Sequence, residues 1–229
     1  MYLNSFIKKA NIGIGSNSEP LNYLYNRGIS KEDIDKYSIG YTRVSKIHDD
    51  GSDDYKKIKE ETYGFRGIQN RILFPLKNVI GNVNGIIARD LTKKLYTQFF
   101  LSEALNLGAF FGLYEAIPYI CKKGVVFVHE GAINCISFAK VFPNTISSLT
   151  SYLNQQQYET LKFFATKIVL VYDNDSTGIY GAQKVIKTYN DSNIFSINIG
   201  YKDSNECLKK LGLSKFEYYI KSKIPLFLR

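Results

Sequence analysis

The stretches VVFVHEGAIN (residues 125–134) and VLVYDNDSTG (residues 169–178) decide the fold of this chain. Each begins with an apolar run of strand length that gives way at once to acidic residues and a glycine. A strand without polar alternation is typical of a parallel sheet that is covered by helices on both faces. We therefore predict two buried parallel strands, each followed by a helix.

The alternation of strands and helices continues through the second half of the chain. NTISSL (144–149) and NIFSINI (193–199) are predicted as further strands, and Asn154 is predicted as the N-cap of an intervening helix. This pattern predicts an α/β domain with a mainly parallel sheet over residues 123–202. A C-terminal helical segment is predicted over residues 203–229, in one or two pieces.

The first half has a different pattern. Residues 1–17 are rich in Asn, Ser and Gly towards their end and are predicted to form a loosely attached arm. Two helices are predicted over residues 18–37, a charged loop over 46–62, and an antiparallel sheet with a hairpin turn near 78–82. Residues 18–122 are therefore predicted to form a mixed α+β, basic subdomain, which makes the whole chain α+β.

The charge of the chain favours a polyanionic partner. Thirty Lys and Arg residues face 21 acids, a formal net charge of +9, and nine of the basic residues lie between positions 55 and 94. Such a patch binds nucleic acid through counterion release, although a solubilising surface would have the same composition. No apolar run is long enough for a membrane span, and the chain starts without a secretory signal, so the cytoplasm is expected.

Acidic residues follow three of the predicted strands: Glu130, then Asp173 with Asp175, then Asp203. The carboxyl ends of parallel strands share one edge of the sheet, so these acids are expected to cluster and to repel one another. Hard oxygen ligands suit Mg²⁺ or Mn²⁺, and the cluster predicts metal-assisted phosphoryl transfer. Helix N-capping is the alternative explanation. Gly131 and Gly178 favour the metal site, since both let backbone approach a ligand.

The two opening stretches together resemble a TOPRIM domain, which primases, topoisomerases and some nucleases share. Five further segments favour the primases over the topoisomerases and nucleases. They resemble segments of the catalytic core of the DnaG-type primases, and they follow one another in the same order as in that core. These segments are YLYNRGISKEDIDKYSIGY (23–41), FRGIQNRILFPLKNVIGNVNGIIARDL (65–91), FLSEA (100–104), LYEA (113–116) and GYKDSNECLKKLG (200–212). The resemblance covers roughly residues 20–215.

The resemblance implies roles for individual residues. Glu130 would bind metal or handle a proton, Asp173 and Asp175 would bind metal, and Asp203 would be a further acid of the metal cluster. Mg²⁺ or Mn²⁺ is the implied cofactor, and no zinc is expected because the three cysteines lie far apart. The implied nucleotide or DNA contacts are Arg66, Arg71, Arg89, Lys93, Lys94 and Asn134, and Tyr96 is a candidate for stacking on a base.

The chain departs from the family pattern at three positions. Asn134 stands where the family often has an acid, Thr150 where it has a glycine, and Asn205 where it has a second acid. These residues lower the negative charge of the site while leaving the three central carboxylates intact. Weaker metal binding, or a loss of the chemistry, is the expected consequence.

The function implied by the resemblance is the synthesis of short RNA primers on single-stranded DNA from ribonucleoside triphosphates, for DNA replication. A replicative helicase is the implied partner. Neither a zinc-binding module nor a long helicase-binding domain is expected within the chain, and a compact bacteriophage primase fits this size. Two alternatives stay open: a TOPRIM-type metal-dependent nuclease, and a DNA-binding replication accessory protein without catalysis.

Overall fold

The computed structural model of the protein describes residues 2–42, 68, 70–93, 96–100 and 108–229. The chain divides into two compact units, Met1–Ala109 and Phe110–Arg229, and each unit has its own sheet. The predicted charged loop and two candidate contacts, Arg66 and Lys94, lie outside the described residues. None of the helices in the described part of the chain is long and apolar enough to cross a membrane.

The first unit contains a four-stranded antiparallel sheet in the order β1-β2-β3-β4, preceded by three helices. The strands are β1 (Gly40–Thr42), β2 (Arg71–Lys77), β3 (Val83–Asp90) and β4 (Tyr96–Phe100). The helices are α1 (Tyr2–Ile14), α2 (Ser18–Tyr25) and α3 (Lys31–Lys36).

Local sequence signals explain two features of this unit. Ser30 and Asp33 form a reciprocal capping box at the start of α3. Between β2 and β3 the backbone N–H of Asn78 donates to the carbonyl of Asn82 over 2.8 Å, and Gly81 takes a positive φ of 86°. The predicted helices and the predicted hairpin are therefore confirmed, while the short outer strands β1 and β4 were not predicted.

The prediction of a loosely attached arm over residues 1–17 is wrong, because Tyr2–Ile14 form the helix α1. One face of this helix packs into the same core as the sheet, through Leu3, Ile7 and Ala10. A Cβ built on Gly40 would lie 2.7 Å from the Cβ of Ala10, so helix and β1 approach as closely as a glycine allows. The apolar spacing of α1, rather than its Asn and Gly content, decides its structure.

The second unit contains a four-stranded parallel sheet in the order β6-β5-β7-β8. Its strands are β5 (Val125–His129), β6 (Thr145–Ser147), β7 (Lys167–Leu170) and β8 (Ile194–Ser196). Its helices are α4 (Leu113–Lys123), α5 (Ala132–Ala139), α6 (Gln155–Phe164), α7 (Ser176–Tyr189), α8 (Ser204–Leu211) and α9 (Leu213–Lys223), followed by a 3₁₀ turn (Leu226–Leu228). The predicted parallel sheet with flanking helices is confirmed.

Both faces of this sheet are buried, which explains the uninterrupted apolar runs. Along β5, Val126 and Val128 enter one core with α4, α6 and α7. Val125 and Phe127 enter the opposite core, with side chains of α5, α8 and α9. Successive strand residues point to opposite faces, so a strand between two cores needs apolar residues at every position.

The division of the chain differs from the predicted domain boundaries. The helix α4 belongs with the parallel sheet, because Ala116 and Ile120 are fully buried in its core, so the second unit begins before residue 123. The predicted C-terminal segment also belongs to this unit, since Phe216 and Ile220 complete the second core. A break does separate α8 from α9 as predicted, at Gly212, whose φ is 70°.

Candidate active site

Acidic residues follow the three neighbouring parallel strands β5, β7 and β8. Glu130 comes directly after β5, Asp173 lies three residues beyond β7, and Asp203 caps α8 after β8. The Oε1 atom of Glu130 accepts a hydrogen bond of 2.9 Å from the backbone N–H of Asp173. The fold therefore brings these acids to one edge of the sheet and ties the ends of β5 and β7 together.

The alternative explanation, helix N-capping, holds for two of the acids. Asp175 accepts a 2.9 Å hydrogen bond from a backbone N–H in the first turn of α7, and Asp203 accepts one of 2.8 Å in α8. Glu130 and Asp173 cap no helix, because Gly131 and Asp175 occupy the N-cap positions of α5 and α7. Helix capping thus explains the acids at positions 175 and 203. It does not explain those at positions 130 and 173.

The carboxylates influence one another. Burial raises the pKa of Asp173 from its ordinary 3.8 to about 7, with Glu130, Asp203 and Asp175 adding to the rise and a hydrogen bond from Asn134 opposing it. Burial also raises the pKa of Glu130; the Asp173 N–H opposes this rise and the charge of Asp175 adds to it. The four acids therefore share one electrostatic environment, which a bound cation would stabilise.

The donor set of the cluster suits a hard divalent cation that keeps part of its water shell. Among the described residues, no three Asp, Glu, His or Cys side chains converge tightly enough to bind a metal ion by themselves. Mg²⁺ is commonly held by one or two carboxylates together with waters and substrate phosphates, so a cage of three carboxylates is not required. Glu130, Asp173, Asp175 and Asp203 each accept a hydrogen bond on one carboxylate oxygen. Within the described part of the chain the other oxygen of each acid accepts none, which leaves it for a metal or its waters.

Two asparagines lie beside the acids. The side-chain amide of Asn134 donates to Oδ1 of Asp173 over 2.9 Å, and its carbonyl accepts from the backbone N–H of Asn205 over 3.2 Å. Asn205 is buried, and its own amide donates to the hydroxyl of Ser137 over 3.0 Å. Asn134 was assigned from the sequence to nucleotide or DNA contacts, whereas the structure places it within the carboxylate cluster.

The two glycines of the motifs, which the sequence suggests let the backbone approach a ligand, have different surroundings. A Cβ on Gly178 would lie 2.1 Å from the carbonyl oxygen of Asp173 and 2.7 Å from Oε1 of Glu130, so Gly178 makes room for the acids themselves. At Gly131 a Cβ would meet no atom within 4 Å. His129, next to Glu130, is 1% exposed, and burial lowers its pKa to about 3, so it is a neutral packing residue.

The first unit carries a cluster of arginine and tyrosine side chains. Arg89, on β3, is 7% exposed, and its Nε donates to the hydroxyl of Tyr23. Its guanidinium lies 5.3 Å from the centre of the Tyr23 ring and 4.6 Å from that of Tyr96, and Arg27 lies 5.4 Å from the Tyr23 ring. No carboxylate among the described residues pairs with Arg89. Within the part of the chain that the structure describes, this largely buried positive charge is therefore available to an anion.

Arg71 and Lys93 lie on the same sheet and on the turn that follows β3. Arg71 donates a hydrogen bond to the hydroxyl of Thr97 and stands opposite Asp90 in the ladder. The exposed Lys93 contributes a backbone N–H to Asp90, over 2.9 Å. This N–H and that of the preceding residue are the main causes that lower the pKa of Asp90 to about 2. Three predicted basic contacts, Arg71, Arg89 and Lys93, thus lie in one unit.

Sequence reasoning missed Tyr23 and Arg27. They are four residues apart, a spacing that places two side chains on one side of a helical turn, and this was the available signal. No local pattern indicates the contact of Tyr23 with Arg89, which lies 66 residues further along the chain. Tyr96, predicted to stack on a base, lies against Arg89 and remains half exposed.

Residues 127–208 match a family described as Toprim-like. The DNA primase of Aquifex aeolicus is 25% identical over 234 residues, an alignment that covers 92% of this chain and 46% of that primase. The DNA primase of Clostridium acetobutylicum is 25% identical over 233 residues, with coverages of 93% and 39%. The chain therefore spans less than half the length of these relatives.

Solved structures show the same relationship. The zinc-binding and RNA polymerase domains of the Aquifex aeolicus primase match with a TM-score of 0.76 at 25% identity, over 91% of this chain and 56% of that one. A DnaG primase catalytic domain bound to single-stranded DNA has the same fold, with a TM-score of 0.71 at 19% identity over 97% of this chain and 83% of its own. Residues 127–208 are thus similar to the Toprim-like family, and the chain resembles the catalytic core of the bacterial DnaG primases along nearly its whole length.

Proposed function

We propose that this chain is a primase catalytic core, which joins ribonucleoside triphosphates into short RNA primers on a single-stranded DNA template. The observation that carries the proposal is the edge of the parallel sheet where Glu130, Asp173, Asp175 and Asp203 share one electrostatic environment. The likeness to bacterial DNA primases over about nine-tenths of the chain supports it.

Glu130, Asp173, Asp175 and Asp203 would hold Mg²⁺ or Mn²⁺. When bound, such an ion would neutralise phosphate charge and favour attack by a primer 3′-hydroxyl. The chain itself fixes Glu130 through the N–H of Asp173, and it fixes Asp175 and Asp203 through the helices they cap. Near pH 7 the metal-free Asp173 carries a proton for much of the time, and a cation would release that proton because it favours the ionised form.

The basic residues of the first unit would bind the phosphates of template or nucleotide. Arg89 is the strongest candidate, since its charge is largely buried and has no carboxylate partner among the described residues. Arg71 and Lys93 add exposed or partly exposed charge on the same unit, and Arg66 and Lys94 remain candidates from the sequence. A DnaG catalytic domain of the same fold has been solved with single-stranded DNA, which supports DNA binding as such but not the choice of individual residues.

The proposal extends to the setting of the reaction. Ribonucleoside triphosphates are the proposed substrates, a replicative helicase is the proposed partner, and the cytoplasm is the proposed compartment. The resemblance to bacterial primases is the support for all three.

The test is a primer-synthesis assay on single-stranded DNA with labelled ribonucleotides or deoxynucleotides, Mg²⁺ or Mn²⁺, and with or without the helicase. Asp175→Asn is the informative variant, because asparagine also caps helices and the change removes only the charge. We expect it to abolish synthesis without loss of folding. The matched control is Asp191→Asn, in which the lost acid pairs with Lys162 and precedes β8 at its amino end.

Other outcomes would decide between the alternatives. Cleavage of the template without added nucleotides, and no RNA product even with helicase, would establish a nuclease. Tight binding of single-stranded DNA with neither synthesis nor cleavage would establish an accessory protein. Full synthesis by Asp175→Asn would contradict the proposed metal site.

A further inference from the structure

The side chain of Asn134 connects two parts of the carboxylate cluster that are distant in sequence. Its amide donates to Oδ1 of Asp173, 39 residues further on, over 2.9 Å. Its carbonyl accepts from the backbone N–H of Asn205, 71 residues further on, over 3.2 Å. Asn134 therefore ties the end of β7 to the first turn of α8.

The chemistry of these two partners requires an amide at this position. Asp173 presents an acceptor and Asn205 presents a donor, so the bridging side chain must supply a donor and an acceptor at a fixed separation. An aspartate at position 134 would accept from Asn205 but would place a second carboxylate against Asp173. A serine would be too short to reach both partners.

The far end of this bridge is itself held in place. Asn205 is 1% exposed, and its amide donates to the hydroxyl of Ser137 over 3.0 Å. The hydroxyl of Ser137 donates in turn to the carbonyl of Ile133 over 2.8 Å. The helices α5 and α8 are thus linked by side chains, and Asn134 cannot turn towards solvent without breaking both of its hydrogen bonds.

We propose that Asn134 is a positioning residue that holds Asp173 in place without a metal, and that its neutral amide makes the chain bind a divalent cation more weakly than an aspartate at this position would. The amide donates to Oδ1 of Asp173 without adding charge, whereas a second carboxylate there would repel Asp173 until a cation neutralises both. This inference rests on the proposed function, because it concerns the metal site of that function.

The experiment is a titration of the whole chain with Mn²⁺ alone, followed by calorimetry and by the electron paramagnetic resonance signal of the free ion, together with thermal melts with and without Mn²⁺. Wild type is compared with Asn134→Asp. The matched control is Asn193→Asp, which adds the same charge at an exposed residue directly before β8, at the end of the sheet opposite to the acids.

We expect the dissociation constant for Mn²⁺ to be about tenfold lower in Asn134→Asp than in wild type, since affinity for such ions rises with the number of charged ligands. The metal-free variant should melt below wild type, because two carboxylates then face each other, and bound Mn²⁺ should remove that difference in melting temperature. Asn193→Asp should match wild type in its affinity for Mn²⁺ and in its melting temperature.

The contrary outcomes separate this inference from the proposed function. Equal Mn²⁺ affinity and equal metal-free melting temperature for wild type and Asn134→Asp would overturn the inference and leave the proposed function standing. Binding of Mn²⁺ by neither chain would also overturn the inference, whereas the proposed function is overturned separately, by a failure of primer synthesis.

Discussion

Glu130 is tied to Asp173 by a hydrogen bond that does not depend on the charge of either side chain. The backbone N–H of Asp173 donates to Oε1 of Glu130 over 2.9 Å. A glutamine at position 130 has the same oxygen and can accept the same bond, so the structural and chemical roles of this acid can be separated.

We expect Glu130→Gln to lose RNA synthesis by at least about 100-fold, which is the scale of a lost metal ligand or proton acceptor. The melting temperature should stay the same or rise, since a partly buried charge is removed. Primer synthesis and a thermal melt are the two measurements. Glu159→Gln, on the exposed side of α6, serves as the control, and equal synthesis by both variants would exclude a role for the Glu130 charge.

The raised pKa of Asp173 makes the stability of the metal-free protein depend on pH. The folded state holds a proton up to about pH 7, whereas the ordinary value is 3.8. The free energy of unfolding should therefore fall as the pH rises through this interval, because the folded state binds more protons than the unfolded one. Thermal melts in the presence of a chelator, from pH 4 to pH 8, measure this decline.

Asp173→Asn should reduce the fall in the free energy of unfolding between pH 4 and pH 7, and Mn²⁺ should do the same in wild type. Asp191→Asn is the control of opposite sign, since hydrogen bonding to Lys162 lowers the pKa of Asp191 to about 2. The ionised Asp191 contributes fully to the free energy of unfolding at pH values above the ordinary pKa of 3.8. This contribution is lost only when the pH falls towards 2. A decline between pH 4 and 7 that persists unchanged in Asp173→Asn would show that another group causes it.

The carboxylate cluster needs a glycine at position 178, because a larger residue has no room beside Asp173 and Glu130. Gly178→Ala puts a methyl group 2.1 Å from the Asp173 carbonyl and 2.7 Å from Oε1 of Glu130, so the start of α7 must move. We expect a loss of about 1–3 kcal/mol in stability, as for other overpacked sites, together with loss of synthesis. In Gly131→Ala the methyl group meets nothing within 4 Å, so this variant should lose about 1 kcal/mol or less.

The largely buried guanidinium of Arg89 should contribute to the affinity for nucleic acid through one phosphate contact. Arg89→Ala is expected to weaken binding of single-stranded DNA and to reduce the slope of log affinity against log salt by about 0.7, the value for one phosphate contact. Arg89→Lys should also bind more weakly, because lysine lacks the planar guanidinium that contacts the rings of both Tyr23 and Tyr96. Titrations at several salt concentrations test this, with the exposed Lys8→Ala as control. An unchanged slope in Arg89→Ala would argue against a phosphate contact.

The helix α1 should be part of the folded core. Ile7 is 2% exposed, so Ile7→Ala should cost about 2–4 kcal/mol of unfolding free energy. Ile12 is 70% exposed on the same helix, and Ile12→Ala should change stability little. Denaturant unfolding of the two variants compares them directly. Equal free energies of unfolding for Ile7→Ala and Ile12→Ala would indicate that residues 1–17 form a loosely attached arm after all.

The parallel sheet could be predicted because a strand that is buried on both faces must have an uninterrupted apolar run in its own sequence. Val125 to Val128 must all be apolar when alternate side chains enter two different cores. Capping is equally local, which is why Asn154 could be identified as the start of α6. The strand β1, Gly40–Thr42, is too short to show any periodicity, and pairing with β2 determines it.

The candidate site was predictable where its residues directly follow strands and unpredictable where its contacts are tertiary. Glu130 and Asp173 could be placed at one sheet edge from the order of strands alone. The partners of Asn134 lie 39 and 71 residues away, and no spacing rule connects them. The resemblance therefore marked Asn134 as a departure from a pattern, and only the fold shows which groups it joins.

The helix capping by Asp175 and Asp203 has an evolutionary consequence. Folding alone explains a helix-capping side chain at these two positions, since each begins a helix of the second unit. Glu130 and Asp173 cap nothing, and their mutual repulsion opposes folding when no cation is bound. In a lineage that abandoned the chemistry, drift would erase the acids at positions 130 and 173 first, whereas residues that can cap a helix would persist at positions 175 and 203.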